Sequence, residues 1–130
     1  MIEKFSTIFD GLRAAYGTFK IENRNEKGKA TGKAMIVREP RTEATWEGHL
    51  SGNGQSVGII PINENNESRW GCIDIDEYNF DHQALIKKIL AAKLPLLVCR
   101  SKSGGAHVFL FTSDFIPAKD MQDILTRLSV

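Results

Sequence analysis

The sequence predicts an α+β domain, an antiparallel-rich sheet with helices on one face. Three observations carry this reading. Short apolar runs rich in Ile, Val, Leu and Phe recur through the second half, and one of them alternates isoleucine with aspartate. Breaks rich in Gly, Asn and Ser separate those runs. Between and after them lie two stretches with helical character, one with apolar residues at three- and four-residue spacing, the other opened by a proline.

Residues 3–15 read as a helix, with Phe5, Ile8, Phe9 and Leu12 at helical spacing and Gly17 ending it. Residues 20–33 are polar, carry Gly28 and Gly32, and read as a mobile loop. The apolar stretch 34–37 reads as a short strand. Thr42 is the expected N-cap of a short helix to about Leu50, which stops at the turn Ser51-Gly52-Asn53-Gly54. Residues 57–62 read as a strand, 63–68 as a polar turn and 70–76 as the next strand. Asn79 or Asp81 caps a helix to about Lys93, with Leu85, Ile86, Ile89 and Leu90 on its apolar side, and Pro95 blocks its continuation. Residues 96–101 form a strand, Ser103-Gly104-Gly105 a turn and 106–112 a strand. Pro117 suits the first turn of a closing helix to Leu128. The expected order is β-β-α-β-β-α behind an N-terminal helical and basic section. One domain is expected, with that section over residues 1–55 and the motif-bearing core over 56–130.

A chain of 130 residues buries roughly two-thirds of the surface its unfolded form exposes, enough for a core without staples. No stretch of about 20 apolar residues is present, so no membrane span is expected. The start Met1-Ile2-Glu3-Lys4 lacks the basic and apolar regions of a signal peptide, which points to a cytoplasmic protein. Cys72 and Cys99 form no C-x-x-C pair and read as buried thiols in strands. His49, His82 and His107 are scattered, which does not suit structural zinc. Net charge is +1, but seven basic residues against three acids lie between Lys20 and Arg41, and six acids against one Arg between Asn63 and Asp81. A basic arm beside an acidic centre suits a polyanion held near a metal; a solvated loop and a polar turn would give the same counts.

Two constellations carry chemistry. In Cys72-Ile73-Asp74-Ile75-Asp76 the isoleucines point to one face of a strand and the aspartates to the other. Two neighbouring carboxylates repel unless a cation sits between them, and hard oxygen ligands favour Mg²⁺ or Mn²⁺. Asp-x-Asp also occurs in glycosyltransferases and at plain strand ends. In Arg100-Ser101-Lys102-Ser103-Gly104-Gly105-Ala106-His107, small residues let the backbone approach an anion, the serines donate to phosphate oxygens, Arg100 and Lys102 supply charge, and a strand-borne His107 can touch a triphosphate. The P-loop pattern is absent, and an ordinary tight hairpin has the same turn residues. Alternation puts His107 with Phe109 and Phe111, and Val108 and Leu110 with the isoleucines against the helices. Asp74, Asp76 and His107 therefore converge on the face the helices leave open, part of which the N-terminal section is expected to cover.

Together and in this order, the two segments resemble the first two motifs of the archaeo-eukaryotic primase superfamily, closest to the primase domains of TOTE-type conflict systems and related phage or plasmid primase-polymerases. Thr45-Trp46, His49-Leu50-Ser51-Gly52 and Val57-Gly58-Ile59-Ile60-Pro61-Ile62 also resemble that family's lead-in, so the likeness spans about residues 16–125. The resemblance implies an RRM-like, primase-type catalytic core that adds nucleotides on a single-stranded DNA template. It implies Asp74 and Asp76 as ligands of the catalytic Mg²⁺ or Mn²⁺. Ser101, Ser103 and His107 would then contact the triphosphate, with Arg100, Lys102, Gly104 and Gly105 completing the nucleotide-binding segment. Lys33 and Arg41 are the basic-arm candidates for nucleic acid. Nucleoside triphosphates, single-stranded DNA and a helicase or further primase segment are the implied partners.

The sequence departs from the family in one respect. The third motif, an apolar residue followed by an aspartate on a later strand, has no counterpart: Asp114 and Asp120 follow too closely, in a turn and a helix start, and Asp123 lies within that helix. The family normally continues beyond residue 130, so a fragment, a natural short relative or a partner-supplied carboxylate are the expected explanations. Against the enzyme stands a truncated, inactive module that binds nucleotide or single-stranded DNA. An unrelated Asp-x-Asp transferase would leave the Ser-Gly-Gly-x-His segment unexplained.

Overall fold

The computed structural model describes residues 1–26 and 30–129; Lys27, Gly28 and Lys29, assigned above to the polar loop and basic arm, lie outside them. The elements run α1 (Ile2–Ile8), β1 (Tyr16–Arg24), β2 (Ala30–Val37), α2 (Glu43–Ser51), β3 (Glu67–Ile75), α3 (His82–Ala91), β4 (Leu96–Arg100), β5 (Ala106–Pro117) and α4 (Ala118–Leu128). The chain divides into two compact units, Met1–Asn65 and Asn66–Val130.

The first unit is built on an antiparallel hairpin of β1 and β2. Its described strands occupy most of the segment expected as a loop over 20–33. Most of the hairpin is exposed on both faces, so polar residues stand at positions of either parity and the two-residue pattern vanishes. Gly32, read as a loop marker, instead pairs with Ile21 where the register shifts, and a Cβ there would run into the Lys20 carbonyl oxygen.

α1 is shorter than the helix expected over 3–15. Phe9 leaves helical geometry, Asp10 Oδ1 accepts from the Gly11 amide at 2.9 Å, and the Leu12 amide donates to Ile60 O at 2.9 Å. A local aspartate turn and a long-range backbone bond thus take donors that a longer helix would use. Thr42 caps α2 as expected: its Oγ1 accepts from the Thr45 amide at 3.2 Å, Thr45 Oγ1 accepts from the Thr42 amide at 3.1 Å, and Gly52 closes the helix at φ 73°.

The expected strand over 57–62 forms no ladder. Gly17 and Gly58 exchange two backbone bonds of 2.7 Å, but Ile60 O goes to Leu12, the Val57 amide to His49 Nδ1 at 3.2 Å, and Pro61 has no donor. The segment is apolar, yet its partners lie on three different stretches of chain.

The second unit holds a three-stranded antiparallel sheet in the order β3-β5-β4. Asp81, not Asn79, caps α3, its Oδ1 accepting from the Ala84 amide at 3.0 Å. Ile89 of α3 is buried with Ala106 and Val108 of β5, and Ile73, Ile75, Phe80, Leu85, Leu96 and Val98 pack around them. α4 lies on the same face: a Cβ on Gly71 would come within 2.5 Å of Leu125 Cδ1 and 3.1 Å of Met121 Cγ. The α+β class, with antiparallel sheets and four helices among the described residues, is therefore as the sequence predicts. Both β3 and β5 exceed their expected lengths, because pairing resumes past a register shift between Ser68 and Trp70, with Ser68 opposite Ile116 and Glu67 opposite Pro117. Among the described residues no helix is long and apolar enough to cross a membrane.

Two predictions concern the first unit. Thr42→Ala removes one side of the reciprocal cap and is expected to lower stability by about 1 kcal/mol in urea unfolding. Burial pushes the Asp10 carboxyl up, but Arg13 at 2.8 Å, the Gly11 amide and the Arg41 charge together hold it below the usual carboxylate range. A carboxyl depressed in the folded state stabilises the fold above its unfolded value, and that contribution fades as pH falls through the folded value. Asp10→Asn is thus expected to reduce stability at neutral pH and to flatten the acid limb of a stability-against-pH curve.

Candidate functional site

Register alone sorts the side chains of the second unit. Trp70, Cys72 and Asp74 share one face of β3, opposite Phe111, Phe109 and His107 of β5, while Leu97 and Cys99 of β4 stand opposite Phe109 and His107. α3 and α4 occupy the other face, as the isoleucine–aspartate alternation predicts. Asp74 and His107 are direct partners, with Asp74 Oδ1 3.4 Å from His107 Nε2 and side chains 70% and 45% exposed. The imidazole meets Phe109 edge-on at 6.0 Å between ring centres. Phe109 stacks on Phe111 at 5.9 Å and tilts against Trp70 at 6.2 Å. Cys72 and Cys99 are free thiols in strands, half-buried rather than buried. Burial pushes the Cys72 thiol up, and the Asp74 charge pushes it the same way.

Asp76 lies just past the end of β3, and the β4–β5 turn comes to meet it. Ser103 Oγ donates to Asp76 Oδ1 at 3.3 Å, and the buried Ser101 carries its Oγ 3.0 Å from Ser103 Oγ. The turn closes on itself through the Ser101 amide to Gly105 O at 2.9 Å and the Gly104 amide to Ser101 O at 3.1 Å, with Gly104 at φ 99°. Gly105 is pressed against β3, where a Cβ would run into the Ile75 carbonyl oxygen. Asp74, Asp76, Ser101, Ser103 and His107 are thereby gathered at one end of the sheet.

Other candidates stand elsewhere. Lys102 is exposed in the turn. Arg100 has Ala106 as its register partner, which puts it on the opposite face from His107. Lys33 on β2 faces Glu22 at 3.7 Å. Arg41 Nη1 donates to Leu12 O at 2.7 Å and Ala15 O at 3.4 Å, and burial pulls its guanidinium below the ordinary value, with Asp10 acting against that shift. His82, set aside above as one of three scattered histidines, reaches the turn: its Nε2 donates to Gly105 O at 2.9 Å. The sequence signal for that contact was positional only, a histidine directly after a helix-capping aspartate.

The later aspartates do not reach this patch. Asp114 lies on β5 rather than in a turn, seven residues past His107 and so about 20 Å along the strand. Asp120 and Asp123 lie on α4, the helix packed against Gly71 on the other face. Among the described residues no group of three or more His, Cys, Asp and Glu side chains is arranged to hold a metal ion. The donor set at Asp74 and Asp76 still suits Mg²⁺, which commonly binds one or two carboxylates and completes its shell with water and substrate phosphates.

The family model described as the archaeo-eukaryotic primase domain of TOTE conflict systems matches residues 3–129. The chain belongs to that family. No curated protein matches it. The primase-domain match bears out the resemblance carried by the two motifs, and it runs through both compact units. Primase domains of this superfamily generally use divalent metal ions and act on nucleotides and DNA.

Because the Ile75 carbonyl oxygen leaves no room for a side chain on Gly105, Gly105→Ala is expected to cost about 1–3 kcal/mol in urea unfolding, the range for overpacking, and to broaden the amide resonances of the 101–105 turn.

Proposed function

We propose that the chain is the nucleotidyl-transfer core of a primase or primase-polymerase, acting on nucleoside triphosphates and a single-stranded DNA template. The observation that carries this reading is the joint placement of Asp74 opposite His107 and of Asp76 against Ser103, which sets two carboxylates beside a hydroxyl- and glycine-lined turn. Asp74 and Asp76 would hold Mg²⁺ or Mn²⁺, which when bound supplies charge stabilisation at the transferring phosphate. The hydroxyl hydrogens of Ser101 and Ser103, which here run to Ser103 Oγ and Asp76 Oδ1, would turn to triphosphate oxygens once a metal ion occupies Asp76, and Lys102 adds charge from the exposed turn. His107 neutralises triphosphate charge rather than serving as general base. Arg100 adds charge on β4, Lys33 is the basic-arm candidate for nucleic acid, and Arg41 contributes by holding the backbone at Leu12 and Ala15. The two units act as one primase-like domain, a reading supported by a single family match across both.

The positions of Asp114, Asp120 and Asp123 favour a second reading. With none of them near the patch, a carboxylate from a further primase segment or a partner such as a helicase subunit is needed for turnover; without it the chain binds nucleotide or single-stranded DNA and does not polymerise.

Calorimetry with a nucleoside triphosphate, with and without Mn²⁺, tests the site. Binding that needs Mn²⁺ and disappears in Asp74→Ala/Asp76→Ala is the expected result. Binding indifferent to Mn²⁺ and to both aspartates would sink the metal assignment. In a primer-synthesis assay Asp74→Ala is expected to lower nucleotide addition by at least about a hundredfold, since metal-ion stabilisation supplies several kcal/mol.

A further inference from the structure

The geometry points to His82 as the positioning residue of the triphosphate-binding turn, acting through the carbonyl of Gly105. The inference rests on the reading of Ser101 and Ser103 as triphosphate donors. Gly105 O receives two hydrogen bonds at once, from the Ser101 amide at 2.9 Å and from His82 Nε2 at 2.9 Å. A carbonyl can only accept, so His82 carries its hydrogen on Nε2, and both lone pairs of Gly105 O are taken. The first bond closes the turn on itself; the second ties it to the first residue of α3.

That helix end is itself held. Asp81 Oδ1 accepts from the Ala84 amide at 3.0 Å, and the His82 ring stands edge-on to Phe80 at 5.2 Å, while Phe80 packs against the core around Ile89 and Val108. From the other side Gly105 abuts the Ile75 carbonyl at the end of β3. The peptide that starts β5 is thus clamped between the strand bearing Asp74 and the helix bearing His82. The same turn presents Ser101 and Ser103, and Ser103 reaches Asp76. Without the imidazole, Gly105 O keeps one partner, and the turn is free to rotate its serines away from Asp76.

The test compares His82→Ala, His82→Asn and His82→Gln. A glutamine amide nitrogen falls near the position of Nε2, whereas an asparagine amide stops near Nδ1. Two quantities are read on each folded variant: hydrogen exchange of the Ser101 amide, and calorimetric affinity for a nucleoside triphosphate with Mn²⁺. The expected result is faster Ser101 exchange and about three- to tenfold weaker nucleotide binding in the alanine and asparagine variants, the share of one neutral hydrogen bond. Glutamine is expected to restore both quantities. A general loss of stability would not separate asparagine from glutamine. Wild-type affinity in folded His82→Ala or His82→Asn, or unchanged Ser101 exchange in them, would overturn the assignment. If His82→Ala does not fold, the asparagine and glutamine pair decides. If the wild-type chain binds no nucleotide, the functional reading fails, and the role of His82 in a nucleotide site fails with it, whereas the exchange data still report whether the clamp exists.

Discussion

The antiparallel register between β3 and β5 is the constraint on which the candidate site depends. It sets Asp74 opposite His107 and Ile73 opposite Val108, so one pleat decides both the polar patch and the core. A slip of one residue would exchange the two faces, moving Asp74 toward Ile89 and exposing Ile73 and Ile75. Helix burial therefore enforces the chemistry indirectly: the apolar contacts of Ile73, Ile75, Val98 and Val108 with α3 hold the strands where the carboxylates face outward. Gly105 fixes the same register from the end of the sheet, because the close approach of its Cα to the Ile75 carbonyl admits no side chain.

The legibility of the sequence follows from contrast. Cys72-Ile73-Asp74-Ile75-Asp76 alternates strongly apolar with charged residues, and its face assignment could be read directly. The α2 cap was equally plain, since Thr42 acts on amides three residues away. The β1–β2 hairpin was not legible, because a two-stranded ribbon exposed on both faces imposes little polarity on either. Residues 57–62 failed in the opposite sense: they have strand composition, but their backbone partners are dispersed. His82 and Arg41 were opaque for a common reason. Each has a nitrogen that donates to main-chain carbonyls, His82 Nε2 at Gly105 and Arg41 Nη1 at Leu12 and Ala15, and a carbonyl leaves no mark in the side-chain sequence.

The patch also separates stability from chemistry. Asp74 is largely open to water and His107 about half so, and a side-chain pair at 3.4 Å in that setting contributes little to folding. Removing such a carboxylate leaves the core around Ile89, Ala106 and Val108 untouched, so loss of nucleotide binding in an aspartate variant can be read as chemistry. Gly105 lies at the other extreme, because its environment serves the register and the turn together. His82 falls between the two, touching the turn through a single carbonyl while its ring rests on Phe80. Side chains at this end of the sheet thus form a graded series, from solvent-facing carboxylates through a half-buried imidazole to a glycine with no free space. The effect of a substitution on fold and on ligand should separate along that series, since what each position touches changes from water to backbone.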